Sequence, residues 1–225
     1  MQFIERVTGM FTQPEETIKD ILKEPRIEEP LVIVGIYAII FVISAIFSSL
    51  YSGNSLSVLS VVITIIFTFA GWAIATGVVH ALALFMGGEG KYNPQMLNAI
   101  GYTYIVKYIP AIIGIILLFF IPVVNTSNVS QVTAGMSIDQ IKSVMQPLIT
   151  SMGQMLFNPV FILSQVITYI GWIWSGYLGA LAVKNGDKVS RAASLIAVYV
   201  PMVIAIVLSV MVTYGSYFML KMFYG

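Results

Sequence analysis

Among the ionisable side chains inside or beside the long apolar stretches of this sequence, four stand out: His80, Glu89, Lys107 and Asp187. A charge held in an apolar medium is costly, so each is a candidate for function by default. His80 would titrate near neutral pH if unperturbed and could carry a proton. Lys107 could take part in the same proton relay, although its long stem also allows the ammonium to snorkel out of the apolar layer. Glu89 and Asp187 fall in two similar glycine-containing turns, where a carboxylate binds a cation, a basic partner or water. A core histidine, a snorkelling lysine and two solvated acids are the plainer readings. One histidine and no cysteine leave no Ser/His/Asp order, no thiol nucleophile and no His/Cys metal set. Neither a Walker A loop nor a pair of carboxylates within an apolar stretch occurs. The expectation is a non-enzyme with no catalytic, cofactor or metal site.

The elements that must position these residues follow from composition. The chain has 225 residues, 58% of them apolar and 9% charged, with a mean hydropathy of +0.92. Soluble domains are roughly 45–50% apolar and about a quarter charged, so this is an all-α integral membrane protein. A net charge of +1 gives nucleic acid no reason to bind. Apolar runs long enough for a hydrocarbon core of roughly 30 Å lie at about 31–51, 56–86, 100–122, 160–183 and 195–220. These five transmembrane helices make a membrane domain of 31–225, with a long loop at 123–159. Of the 21 charges, 11 fall within residues 5–29, and residues 1–30 lack the uninterrupted apolar core of a signal peptide. With the N-terminus in the cytoplasm, nine of the 11 Lys and Arg face inward and only Lys142 and Lys221 face outward. That places the C-terminus outside, along with the 123–159 loop and its sequons at Asn125 and Asn128.

Amphipathic segments flank the spans. Phe3, Ile4, Val7, Met10 and Phe11 recur at helical spacing opposite Gln2, Glu5, Arg6 and Thr8, as in a helix lying on a membrane surface. A second helix begins at Pro14, with Glu15 and Glu16 in its first turn, and ends before Pro25. In the outer loop, Ile138, Ile141, Met145, Leu148, Ile149, Met152, Met155 and Leu156 share one face. Ser137 and Gln140 supply a capping box ahead of them, and Pro147 is expected to kink or split that helix.

An internal repeat organises the remainder. Phe69-Ala70-Gly71-Trp72 matches Tyr169-Ile170-Gly171-Trp172 at an offset of 100 residues. Glycine turns follow both, at Gly88–Lys91 and Gly186–Lys188, and Tyr108-Ile109-Pro110 then corresponds to Tyr199-Val200-Pro201. Because both copies run in the same direction, the architecture is two parallel repeated helical hairpins plus one added span. Small residues recur at Gly71 and Ala75 and at Gly171, Ser175 and Gly179. Such seams let helix backbones approach closely in lipid, and they alternatively line a cavity or a partner interface, a second copy of the chain included.

The run from Phe11 through Pro14-Glu15-Glu16, Ile18 and Ile21 to Pro25 is similar to the N-terminal signature of prokaryotic Yip-domain proteins. The Gly87-Gly88 turn, Gly101-Tyr102 and Tyr108-Ile109-Pro110 resemble the middle region of that family. The resemblance implies a five-span, non-enzymatic membrane protein. Eukaryotic members bind prenylated Rab/Ypt GTPases and act in vesicle formation, but their acidic signature motif is missing here. The expected role is therefore a membrane scaffold, organiser or partner-binding protein, with the bilayer around it and a protein partner at its cytoplasmic face. The alternative is a small transporter or channel with its pathway between the two hairpins.

Overall fold

The computed structural model of the protein describes residues 1–52, 56–122, 124 and 135–224; the two sequons and Gly225 lie outside the described residues. It is 86% helix, with no strand among the described residues. Two short helices come first, α1 (Phe3–Thr12) and α2 (Pro14–Lys23). The first two spans are α3 (Glu28–Ser52) and α4 (Val58–Phe85). The third covers Tyr92–Leu118 and is wound in four pieces. A segment at Tyr92–Met96, broken by the extended backbone of Asn93, leads into α5 (Leu97–Tyr102), a 3-10 segment at Thr103–Lys107 and α6 (Tyr108–Leu118). Then come α7 (Ile138–Leu156) and the last two spans, α8 (Pro159–Gly186) and α9 (Arg191–Tyr224).

Local chemistry explains the ends of these helices. Pro14 opens α2 at its first position, where the missing N–H costs nothing. Asn158 caps α8, its side-chain oxygen accepting from the Val160 and Phe161 N–H groups at 2.8 and 3.3 Å. The Ser137/Gln140 capping box forms reciprocally at 3.3 and 2.8 Å. At Pro147 α7 is not split but runs on as one helix. The third span begins eight residues before the apolar run does. Its first turn is polar, but Met96, Asn98 and Ala99 are fully buried, so packing holds as helix what hydropathy alone would leave outside.

The bundle has a large core at one end and a smaller one elsewhere. The main core joins Met10, Ile18 and Ile21 of the short helices to Ile33, Val34, Met96, Tyr102, Val106, Leu178 and Val183 of the spans. We call this the α1–α2 end. α8 is the central helix, with 44% of its most apolar window buried, against 6% for α4 and 11% for α9. The other faces of α4 and α9 present Ile, Val, Leu and Phe outward, which suits lipid and not water. A smaller cluster of Ile149, Leu156 and Tyr217 packs α7 against the far half of α9.

Candidate functional site

The helix α1 does not leave its apolar stripe free. Met10 is fully buried, Phe3 and Val7 pack on the same core, and Phe11 meets Trp174 edge-on at 5.6 Å. Only Ile4, 73% exposed, points away. Arg6 belongs to the buried side and not to the polar face on which the sequence places it. Phe3, Arg6 and Met10 are three and four residues apart, so a helix brings all three to one stripe.

Buried there, Arg6 finds an acceptor for each of its three nitrogens. Its Nε donates to Asp20 at 2.9 Å, and its Nη1 donates to Glu29, which is itself only 7% exposed, at 2.8 Å. Its Nη2 reaches the Glu24 carbonyl at 3.1 Å and the Asp20 carbonyl at 3.4 Å. The Tyr102 hydroxyl donates to the same Glu29 oxygen. Burial opposes the charge on Arg6, but the hydrogen bonds it donates to Glu29 and Asp20 outweigh that and raise its pKa. At Asp20, burial pushes the carboxyl up, and Arg6 together with the terminal amine, 3.2 Å away, brings it below its ordinary range. Lys184 at the end of α8 binds Glu15 of α2 at 3.1 Å and adds a second tie.

The repeat-like turns meet at the same end. Asp187 is fully buried, with Oδ1 2.8 Å from His80 Nδ1, and its carbonyl accepts from the Glu89 N–H at 2.9 Å. Its Oδ2 has no hydrogen-bond partner among the described residues. Burial pushes the Asp187 carboxyl up while His80 pulls it down, and the rise prevails. A Cβ at Gly90 would collide with Asp187, which is why this turn needs glycine. His80, Glu89 and Asp187 are thus brought together, with Lys107 elsewhere. Beside them, Lys19, Lys23, Lys91 and Lys188 line an open recess of about 390 Å³ with Glu89, Gln95 and Asn185.

The small-residue seam of α8 faces the third span. A Cβ at Gly171 would collide with Pro110, Ser175 Oγ donates to Thr103 Oγ at 3.1 Å, and Gly179 lies against Ile100 and Val198. Tyr108 donates to the Ile33 carbonyl at 2.6 Å and Tyr199 to the Ile173 carbonyl at 3.0 Å, so each tyrosine pins its helix to another. Trp72 is buried beside Gly101, whereas Trp172 lines open space. At Gly71 a Cβ would meet nothing within 4 Å among the described residues. Lys107 shares that open space, with Nζ 3.8 Å from the centre of the Tyr104 ring. Arg6, Glu29 and Tyr102 are the residues that sequence reasoning passed over. The signal was an arginine inside an apolar helical stripe.

Five helices long and apolar enough to cross a membrane, built around α8 and closed at one end by a docked helix pair, define a multi-pass membrane protein. The Yip1 domain matches residues 8–211, nearly the whole chain. The protein belongs to the Yip1 family, whose members are not known as enzymes. No curated protein and no solved structure matches it.

Proposed function

We propose that this protein is a non-enzymatic membrane organiser whose working surface is the α1–α2 end, facing the cytoplasm. One observation carries the reading. The Arg6 cluster fixes an amphipathic helix pair to the bundle through a guanidinium satisfied by two carboxylates and two carbonyls. A pair held this way is a rigid docking face and not a loose tail. Four lysines against one glutamate in the adjoining recess suit an acidic segment of a partner protein. The excess of Lys and Arg at this end supports its cytoplasmic placement. The contact between the Glu89 and Asp187 turns supports two related hairpins meeting there. A transport pathway would instead call for polar groups continuing from mid-span to both ends, and the clefts around Lys107, although they include Ser164, Gln165 and Thr168, are lined mainly by apolar and aromatic side chains.

The test is complementation of a deletion strain, with membrane abundance measured for each variant. Joint substitution of Lys19→Glu, Lys23→Glu, Lys91→Glu and Lys188→Glu should abolish function at normal abundance. Lys142→Glu, in α7, should not. Full complementation by the four-site variant would overturn the proposal.

A further inference from the structure

Lys107 is at the middle of the bundle and not near a rim. It is 15 residues from Tyr92 and 11 from Leu118 along its own span. Gly71 is 13 residues from Val58 and 14 from Phe85, and Trp172 is 13 from Pro159 and 14 from Gly186, so both are mid-span on α4 and α8. Three cavities, of about 240, 530 and 540 Å³, each include both Lys107 and Trp172 in their lining. They converge on one ammonium.

That ammonium has no carboxylate partner among the described residues and is the only charged side chain lining any of the three cavities. The Tyr104 ring face at 3.8 Å offers it partial compensation. An unmatched cation at mid-span is an unusual thing for a membrane protein to retain. The surrounding walls are mainly apolar, and in the largest cavity the uncharged polar side chains Thr103 and Ser175 already bond to each other. The largest cavity lies between α4, α8 and α9, against Gly71, Ala75, Val78, Val198 and Ala205. Its volume is within the range of about 300–1,000 Å³ usual for small-molecule sites. Gly71 leaves this space open, whereas Gly171 in the matching sequence position is covered by Pro110.

We infer that this cleft binds a long-chain carboxylate, with the acid on the Lys107 ammonium and the chain in the apolar cavity between α4, α8 and α9. One positive charge matches one negative charge, and the pair enters the low-dielectric interior with no net charge. A phosphate dianion or a zwitterionic headgroup would bring a further charge that nothing in the lining answers. A neutral lipid would leave Lys107 unmatched. The apolar walls in turn select a chain over a small soluble acid.

The experiment uses the full chain in detergent and a palmitate bearing a diazirine, photolysed and mapped by peptide mass spectrometry. Labelling should fall on α4, α8 and α9, and palmitate should compete while methyl palmitate does not. Lys107→Gln should weaken binding by roughly tenfold or more, and Lys107→Arg should largely retain it. Gly71→Leu adds a side chain where nothing stands within 4 Å, so it should fold, fill the cavity and abolish labelling. The inference is overturned if folded Lys107→Gln labels at the wild-type level or if methyl palmitate competes as well as the acid. It is equally overturned if phosphatidate out-competes palmitate, or if folded Gly71→Leu labels normally. Should Lys107→Gln fail to fold, the ester competition and Gly71→Leu decide the matter.

Discussion

Replacing Arg6 with Leu should release α1 and α2 while leaving the five spans assembled. Removing one member of a buried ion pair costs about 3–5 kcal/mol, because the partner is left buried and unmatched. Two features reduce that figure here. Asp20 is 26% exposed, so its share is close to the ~0–1 kcal/mol of a surface pair. Glu29 keeps the Tyr102 hydroxyl and has the Arg26 guanidinium at 3.6 Å. The expected cost of losing Arg6 is then about 2–4 kcal/mol. At ~1.4 kcal/mol per tenfold, the undocked population rises roughly 30- to 700-fold. Limited trypsin digestion reads this directly, since cleavage at Lys19 and Lys23 tracks the open population when opening and reclosing are fast. The double variant Arg6→Leu with Glu29→Gln should recover part of the loss, because it removes the stranded charge. Acid should reproduce a small part of the effect, through Asp20. The folded pKa of Asp20 lies below its unfolded value, so its contribution is present above about pH 4 and is lost as pH falls through the depressed value. A cleavage rate for Arg6→Leu within about threefold of wild type would refute the reasoning.

Three further outcomes follow from the packing and the charge distribution. Gly171→Leu should lower the melting temperature in detergent through its collision with Pro110, and Gly71→Leu should not; equal melting of the two would count against the closed seam. Gly90→Ala should destabilise by about 1–3 kcal/mol by driving a methyl into Asp187. Gly87→Ala, strained only by its φ of +89°, should cost about 1–2 kcal/mol. Single cysteines at positions 91 and 188 should stay unlabelled by an impermeant thiol reagent in intact cells, and one at position 142 should react. Labelling at 91 or 188 would reverse the orientation proposed for the bundle.

The five spans were legible because each is an apolar run of sufficient length, and lipid imposes little further subtlety. The start of the third span was not, because Tyr92, Asn93, Gln95 and Asn98 read as a loop until Met96 and Ala99 are seen buried beneath α2. Among the candidate residues, His80, Glu89 and Asp187 were picked out separately. Their meeting depends on contacts across 107 residues of chain that no local pattern encodes. Arg6 was misplaced because an arginine reads as polar wherever it stands, and only its partners reveal that it is inside. Lys107 was read as snorkelling because span boundaries drawn from hydropathy start too late and put it close to a rim.

The docked helix pair also constrains how the molecule is made. Translation delivers α1 and α2 first, yet the residues that secure them arrive much later. Glu29 follows Arg6 by 23 residues, the Tyr102 hydroxyl that completes Glu29 comes 73 residues after that, and Lys184 follows Glu15 by 169. During synthesis the pair therefore waits, with Met10, Ile18 and Ile21 uncovered, until the third and fourth spans have entered the bilayer. Closure of that end therefore reports that the third and fourth spans are in place. A chain stalled after its second span would keep those apolar residues open to chaperones and proteases, which gives quality control a means of telling finished copies from unfinished ones.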